Sequence, residues 1–72
     1  NPAHASVHLE TTDSRFLQGT YSVHTITGDK LMQGGLQNGI AELNMSELAP
    51  GFYQVQLLNS QNQRITRKLI KQ

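Results

Sequence analysis

Leu48-Ala49-Pro50-Gly51-Phe52-Tyr53-Gln54-Val55-Gln56-Leu57-Leu58 is the stretch on which the fold turns. Pro50-Gly51 reads as a chain reversal, since glycine reaches positive φ at little cost. Behind it, Tyr53, Val55 and Leu57 alternate with Gln54 and Gln56, the period of two that marks a half-buried strand. A polar turn from Asn59 to Asn62 follows, and then Arg64-Ile65-Thr66-Arg67-Lys68-Leu69-Ile70-Lys71-Gln72, a strand of basic character.

The same alternation recurs upstream. Ala5, Val7 and Leu9 interleave with Ser6, His8 and Glu10, and Tyr21-Ser22-Val23 and Ala41-Glu42-Leu43-Asn44-Met45 repeat the pattern. Gly28-Asp29, Gly34-Gly35 and Asn38-Gly39 mark the turns between them. Only Ser46 to Ala49 has the composition for a helical turn. Regular short strands with no helix-length amphipathic stretch predict an all-β chain: a small antiparallel immunoglobulin-like β-sandwich of six or seven short strands, with residues 1–72 as one domain. The final strand is less regular, because Ile65 and Leu69 share parity with Arg67 and Lys71, while Ile70 shares it with Thr66 and Lys68. A bulge, or an edge position covered in part on both faces, reconciles the two.

Composition sets limits. A chain of 72 residues buries only about 60% of its unfolded surface, so its stability is modest. With no cysteine there is neither a disulfide framework nor a thiolate metal site. No apolar run approaches the roughly 20 residues of a membrane span, and Asn1-Pro2-Ala3-His4 lacks the regions of a signal peptide. The net charge of +1 conceals a segregation: every acid (Glu10, Asp13, Asp29, Glu42, Glu47) precedes Leu48, and Arg64, Arg67, Lys68 and Lys71 follow it without any acid. Edge protection and a recognition surface both account for cations on a terminal strand. Four aromatics, Phe16, Tyr21, Phe52 and Tyr53, are too few for a base-stacking platform, so no nucleic acid is expected.

Catalytic patterns are missing. There is no Gly-x-Ser-x-Gly elbow, Walker loop or His-Glu-x-x-His helix, and short strands offer little concavity, so the chain is expected not to be an enzyme and to hold no cofactor or metal. Ser22 and His24 share a strand face with Asp29 nearby in sequence, a weak echo of a triad better read as a solvated polar face. His4 and His8 share a face too, but at about 3.3 Å per residue they stand too far apart for one metal. Asn44-Met45-Ser46 matches a glycosylation sequon, a match frequent by chance.

Four segments, in order, carry a resemblance to the type A C-terminal sorting domain of type IX secretion cargo. Asn1-Pro2-Ala3 with Val7 and Leu9 resembles the family's Pro-Asn-Pro-Ala opening. Tyr21 through Leu31 is similar to the segment that ends in an aliphatic, one residue and glycine, here Ile26-Thr27-Gly28. Gly39 through Gly51, closing on a leucine, two residues and glycine, precedes the aromatic, tyrosine and alternating strand of Phe52-Tyr53-Gln54-Val55. Arg67-Lys68-Leu69-Ile70-Lys71 resembles the basic terminus. Phe52 stands where valine is usual, His24 where tyrosine is frequent, and Ala49-Pro50 reverses a common order.

The resemblance implies a non-catalytic address. Such a domain passes through the periplasm, engages type IX translocon components, and is removed by a surface sortase that joins the cargo to anionic lipopolysaccharide, leaving the cargo at the cell surface or secreted. On this reading Arg67, Lys68 and Lys71 meet the partner as exposed cations, while Gly28, Gly51, Tyr53 and Val55 maintain the motif, with Tyr53, Val55 and Leu57 packing inward opposite Val23 and Leu43. Cleavage is expected before Asn1 or near it. Membrane insertion is not expected, and an exposed edge strand offers a route to a homodimer. The alternative is an immunoglobulin-like or fibronectin-like carbohydrate-binding or spacer module, with Phe16 or Phe52 as the aromatics to spare for a sugar. A basic anion-binding module is a third reading, recognisable by its salt dependence.

Overall fold

The computed structural model describes residues 6–72, so the expectations for Asn1-Pro2-Ala3, His4 and Ala5 lie outside the described residues. Among the described residues six strands are present: β1 (Ser6–Glu10), β2 (Thr20–Thr25), β3 (Lys30–Gly35), β4 (Ile40–Asn44), β5 (Gly51–Leu58) and β6 (Arg64–Lys71). A short 3-10 turn, Ser14–Phe16, lies between β1 and β2. β1 and β4 pair antiparallel as one sheet, and the second sheet runs in the order β3-β2-β5-β6, antiparallel throughout. The chain is all-β and sandwich-like, as the alternating patterns require.

The alternation of β5 sets the layer between the sheets. Tyr53, Val55 and Leu57 are buried, and they stand opposite Thr25, Val23 and Tyr21 of β2 and Leu69, Arg67 and Ile65 of β6. From the other sheet Ala41 and Leu43 come down onto the same core, with Met45 just past the end of β4. Burying a side chain such as Val23 or Leu43 contributes about 1.5–3 kcal/mol. Most of that is offset by chain entropy, and a small sandwich stays marginal.

Phe16 corrects the sequence reading. It is 0% exposed, a central core residue and no spare aromatic. Asp13 explains how it gets there: its carboxylate accepts the Arg15 backbone N–H at 3.0 Å and caps the 3-10 turn, which drops the ring between the sheets. Arg15 then closes on Asp13 with 3.0 and 2.6 Å side-chain bonds, holding the Asp13 pKa at about 2.

Turn chemistry agrees with the sequence at Asn38-Gly39, where φ of 52° and 81° and reciprocal 3.0 Å backbone bonds between Gln37 and Ile40 define a two-residue type I′ hairpin. Gly39 is doubly constrained, because a Cβ there would also stand 2.2 Å from the Thr11 carbonyl. Two expectations fail locally. Gly34-Gly35 closes β3 instead of forming a turn, with Gly34 paired to Tyr21, whose side chain occupies the space a Cβ would need. Ser46 to Ala49 forms no helix; a β-turn closes by Leu48 N–H donating to the Met45 carbonyl at 3.0 Å.

The irregular parity of β6 has a simple origin. Its register with β5 is unbroken from Gly51↔Lys71 to Leu58↔Arg64, so there is no bulge in that pair; the shift in this sheet falls at Val23/His24. β6 is the sheet edge, and its inward positions are only partly covered. Ile65 and Leu69 pack against the core, Arg67 stays exposed between them, and Ile70 sits on the uncovered outer face.

Candidate recognition surface

Strand pairing decides what the three terminal cations can do, and it separates them. Arg67 and Lys68 are neighbours in sequence, so a period of two sends them to opposite faces of β6. Arg67 stands opposite Val55 on the inner side, yet it is exposed, with its guanidinium donating to the Thr66 carbonyl at 3.0 Å. Lys68 stands opposite Gln54 on the outer side, its ammonium 5.6 Å from the centre of the Phe52 ring.

Lys71 differs from the exposed cation expected. It is partly buried, and its Nζ donates to the Met45 carbonyl at 2.7 Å and to the Leu48 carbonyl. This ties the end of β6 to the turn that follows β4. The same turn is held from β5, where the Tyr53 hydroxyl donates to the Ala49 carbonyl. Gly51, φ 153°, pairs with Lys71 at the mouth of this arrangement, in a backbone region that side chains rarely adopt although the space around it is open. Gly28, φ 104°, turns the chain between β2 and β3 and donates to the Thr25 carbonyl at 3.0 Å.

The outer face of β5 and β6 carries residues that the sequence reading left unassigned. Phe52 and Ile70 are cross-strand partners, 56% and 55% exposed, with Lys68 against the ring. Their signal was the parity of Ile70 with Lys68, together with the parity that Phe52 shares with Gln54 and Gln56, opposite to that of the inward Tyr53. Further along the same sheet a groove of about 380 Å³ is lined by Ser22, His24, Lys30, Gln33, Gln56 and Arg64 among others. In it Ser22 Oγ lies 2.8 Å from His24 Nε2, but His24 Nδ1 faces the Gly28 carbonyl at 3.4 Å and not Asp29. Without a carboxylate orienting the imidazole, the pair lacks the third member of a triad.

Acidity gathers on the opposite sheet. His8 bridges its cross-strand partner Glu42 at 2.6 Å and Glu10 at 2.9 Å, and these bonds, Glu42 first, raise its pKa above the ordinary 6.5. A raised folded-state pKa means that the contribution to β1–β4 pairing is complete below about 6.5 and is lost as pH rises through the folded value. All three side chains are half exposed, so the effect is small. In an NMR titration His8 should reach its midpoint above 6.5, and Glu42→Gln should bring it down; an unmoved midpoint in that variant would show that the carboxylate is not its partner.

Comparison with known proteins adds one finding. The family model for the secretion system C-terminal sorting domain matches residues 1–72, the entire chain. No curated protein and no solved structure matches it.

Proposed function

From membership of the type IX secretion C-terminal sorting domain family, to which this chain belongs, we propose that residues 1–72 act as one folded address that is read on its terminal strand and then removed. The family is a sorting signal and not a catalytic domain. Membership carries with it engagement of the secretion machinery and export across the outer membrane to the cell surface or beyond. The finer sequence of events belongs to the proposal: passage through the periplasm in the folded state, presentation to translocon components, then cleavage by a surface sortase that joins cargo to anionic lipopolysaccharide.

The observation that supports this reading best is the whole-length family match, ending on a strand that carries Arg64, Arg67, Lys68 and Lys71 and no acid. Lys68 and Arg67 take the recognition role, through Coulomb attraction and hydrogen-bond donation to an acidic partner surface. Lys71 contributes by holding the strand in place. The carbohydrate-binding or spacer alternative is not favoured: with Phe16 in the core, Phe52 is the one strongly exposed aromatic among the described residues, and the Lys68 ammonium stands 5.6 Å from its ring centre.

A foreign periplasmic cargo fused to the chain and expressed in a host with type IX secretion should reach the cell surface. Lys68→Glu should reduce its surface appearance at least about tenfold while leaving thermal stability within about 0.5 kcal/mol, as expected of an exposed site. Retention of the unaltered fusion in the periplasm would refute the sorting function, and full export of the Lys68→Glu fusion would remove Lys68 from recognition.

A further inference from the structure

β6 is the last strand of its sheet, paired with β5 along all eight residues and with no partner on its other side among the described residues. Such an edge presents a row of backbone donors and acceptors to any extended chain that can approach. Natural edges are blunted by proline, bulges or charge. Proline and a bulge are both lacking here, which leaves the cations alone, and cations do not repel an acidic strand.

The space beside this edge is open. A cleft of about 300 Å³ separates β6 from β1, with Leu9, Val55, Leu57 and Ile65 in its walls and Glu10 and Arg67 among its lining. Arg67 holds a position whose neighbours two residues away, Ile65 and Leu69, pack against the core, yet it has no carboxylate partner among the described residues and remains exposed. A charged residue kept at an inward edge position breaks the alternation locally. Places where one rule fails while the others hold are characteristically functional.

We propose that the free edge of β6, together with the cleft beside it, is a strand-addition site for an extended partner segment of defined chemistry. The inference rests on the sorting reading and specifies the chemistry of the surface which that reading requires. An added strand places its residues directly across from those of β6, with Cβ atoms about 4.5–5.5 Å apart. Opposite Ile65 and Leu69 the fitting residues are apolar, and they close over the cleft. Opposite Arg67 and Lys68 they are acidic, one on each face. Opposite Ile70 an apolar residue extends the exposed Phe52–Ile70 pair. The segment from Gly51 to Gln72 contains no acid to compete for these cations, and Glu10 across the cleft disfavours an acidic strand docking on β1 instead. Backbone pairing supplies the affinity, and the two cations supply the selection.

The probe is a capped hexapeptide, Ile-Val-Glu-Glu-Thr-Val, which meets Ile70 to Ile65 in antiparallel pairing; its control has Lys-Lys in place of Glu-Glu. Added at millimolar concentration to the isotope-labelled chain, the acidic peptide should slow amide exchange at alternate residues of β6 at least about tenfold and shift the resonances of Leu9 and Ile65. The Lys-Lys control should bind at least about tenfold more weakly, and Arg67→Glu with Lys68→Glu should reverse the preference. If that double variant loses its dispersed spectrum, Arg67→Glu alone should bring the two affinities to within about threefold. No response, equal binding of both peptides by the unaltered chain, or shifts confined to β3 or the groove around Ser22 and His24 would overturn the site. Export of the unaltered fusion together with any of those results would leave the sorting function standing without this docking mode.

Discussion

Truncation after Arg67 should abolish export of any fused cargo, and it should do so by unfolding the domain. Lys68 to Lys71 pair with Gly51 to Gln54, Leu69 packs beside Tyr53, and Lys71 anchors the turn after β4. Removing them strips one edge from the first half of β5 and exposes Tyr53. A domain of this size has about 4–11 kcal/mol of stability in all. Losing one paired half-strand, a packed leucine and an anchored turn costs several kcal/mol, much of that reserve. Circular dichroism of the truncated chain should show a collapsed or absent thermal transition; an unchanged transition with export lost would mean instead that the deleted residues act as address alone. The truncation therefore tests whether the terminus matters, but not why. Substitutions on the outer face, above all at Lys68, make that distinction.

Much of this architecture is legible in the sequence, and the legible part has a common cause. β5 announces itself because its burial depends on local alternation: Tyr53, Val55 and Leu57 face inward at every second position. Asn38-Gly39 likewise needs no distant information, since the residue types themselves favour the backbone of a type I′ hairpin. Where tertiary contacts decide, the reading falls short. Gly34-Gly35 looks like a turn until Tyr21, brought alongside by β2–β3 pairing, fills the space over Gly34. Phe16 belongs to no alternating segment; a side-chain cap at Asp13 and the packing of two sheets put it in the core.

The basic terminus shows both outcomes in one strand. Charge segregation singles out the cations, and a period of two is enough to place Arg67 and Lys68 on opposite faces. Composition alone suggests a single patch, whereas pairing gives one cation beside the cleft, one over Phe52, and one turned back to the turn following β4. The family's ordered segments were recognisable because glycine turns and a tyrosine are backbone requirements written locally. The anchoring of Lys71 was not, because its acceptors are the carbonyls of Met45 and Leu48, remote in sequence and independent of side-chain identity.

Lys71→Met should cost about 1–3 kcal/mol, the range for a hydrogen-bonded charged group that is partly buried. Methionine keeps most of the aliphatic stem, so the loss isolates the ammonium. The Met45 carbonyl retains the Leu48 N–H as a donor, but the Leu48 carbonyl loses the bond it receives from Nζ. In a domain this small each kcal/mol lowers Tm by about 4–8 °C, so the shift is readily measured. Lys68→Met provides the contrast: on the exposed outer face it should stay within about 0.5 kcal/mol of the unaltered chain. Equal shifts for the two variants would show that the Lys71 bonds contribute nothing in solution. A large shift at Lys71 alone would divide the basic terminus by mechanism. One lysine then serves the fold by keeping β6 on the sheet, and its neighbour three residues earlier is free of that duty.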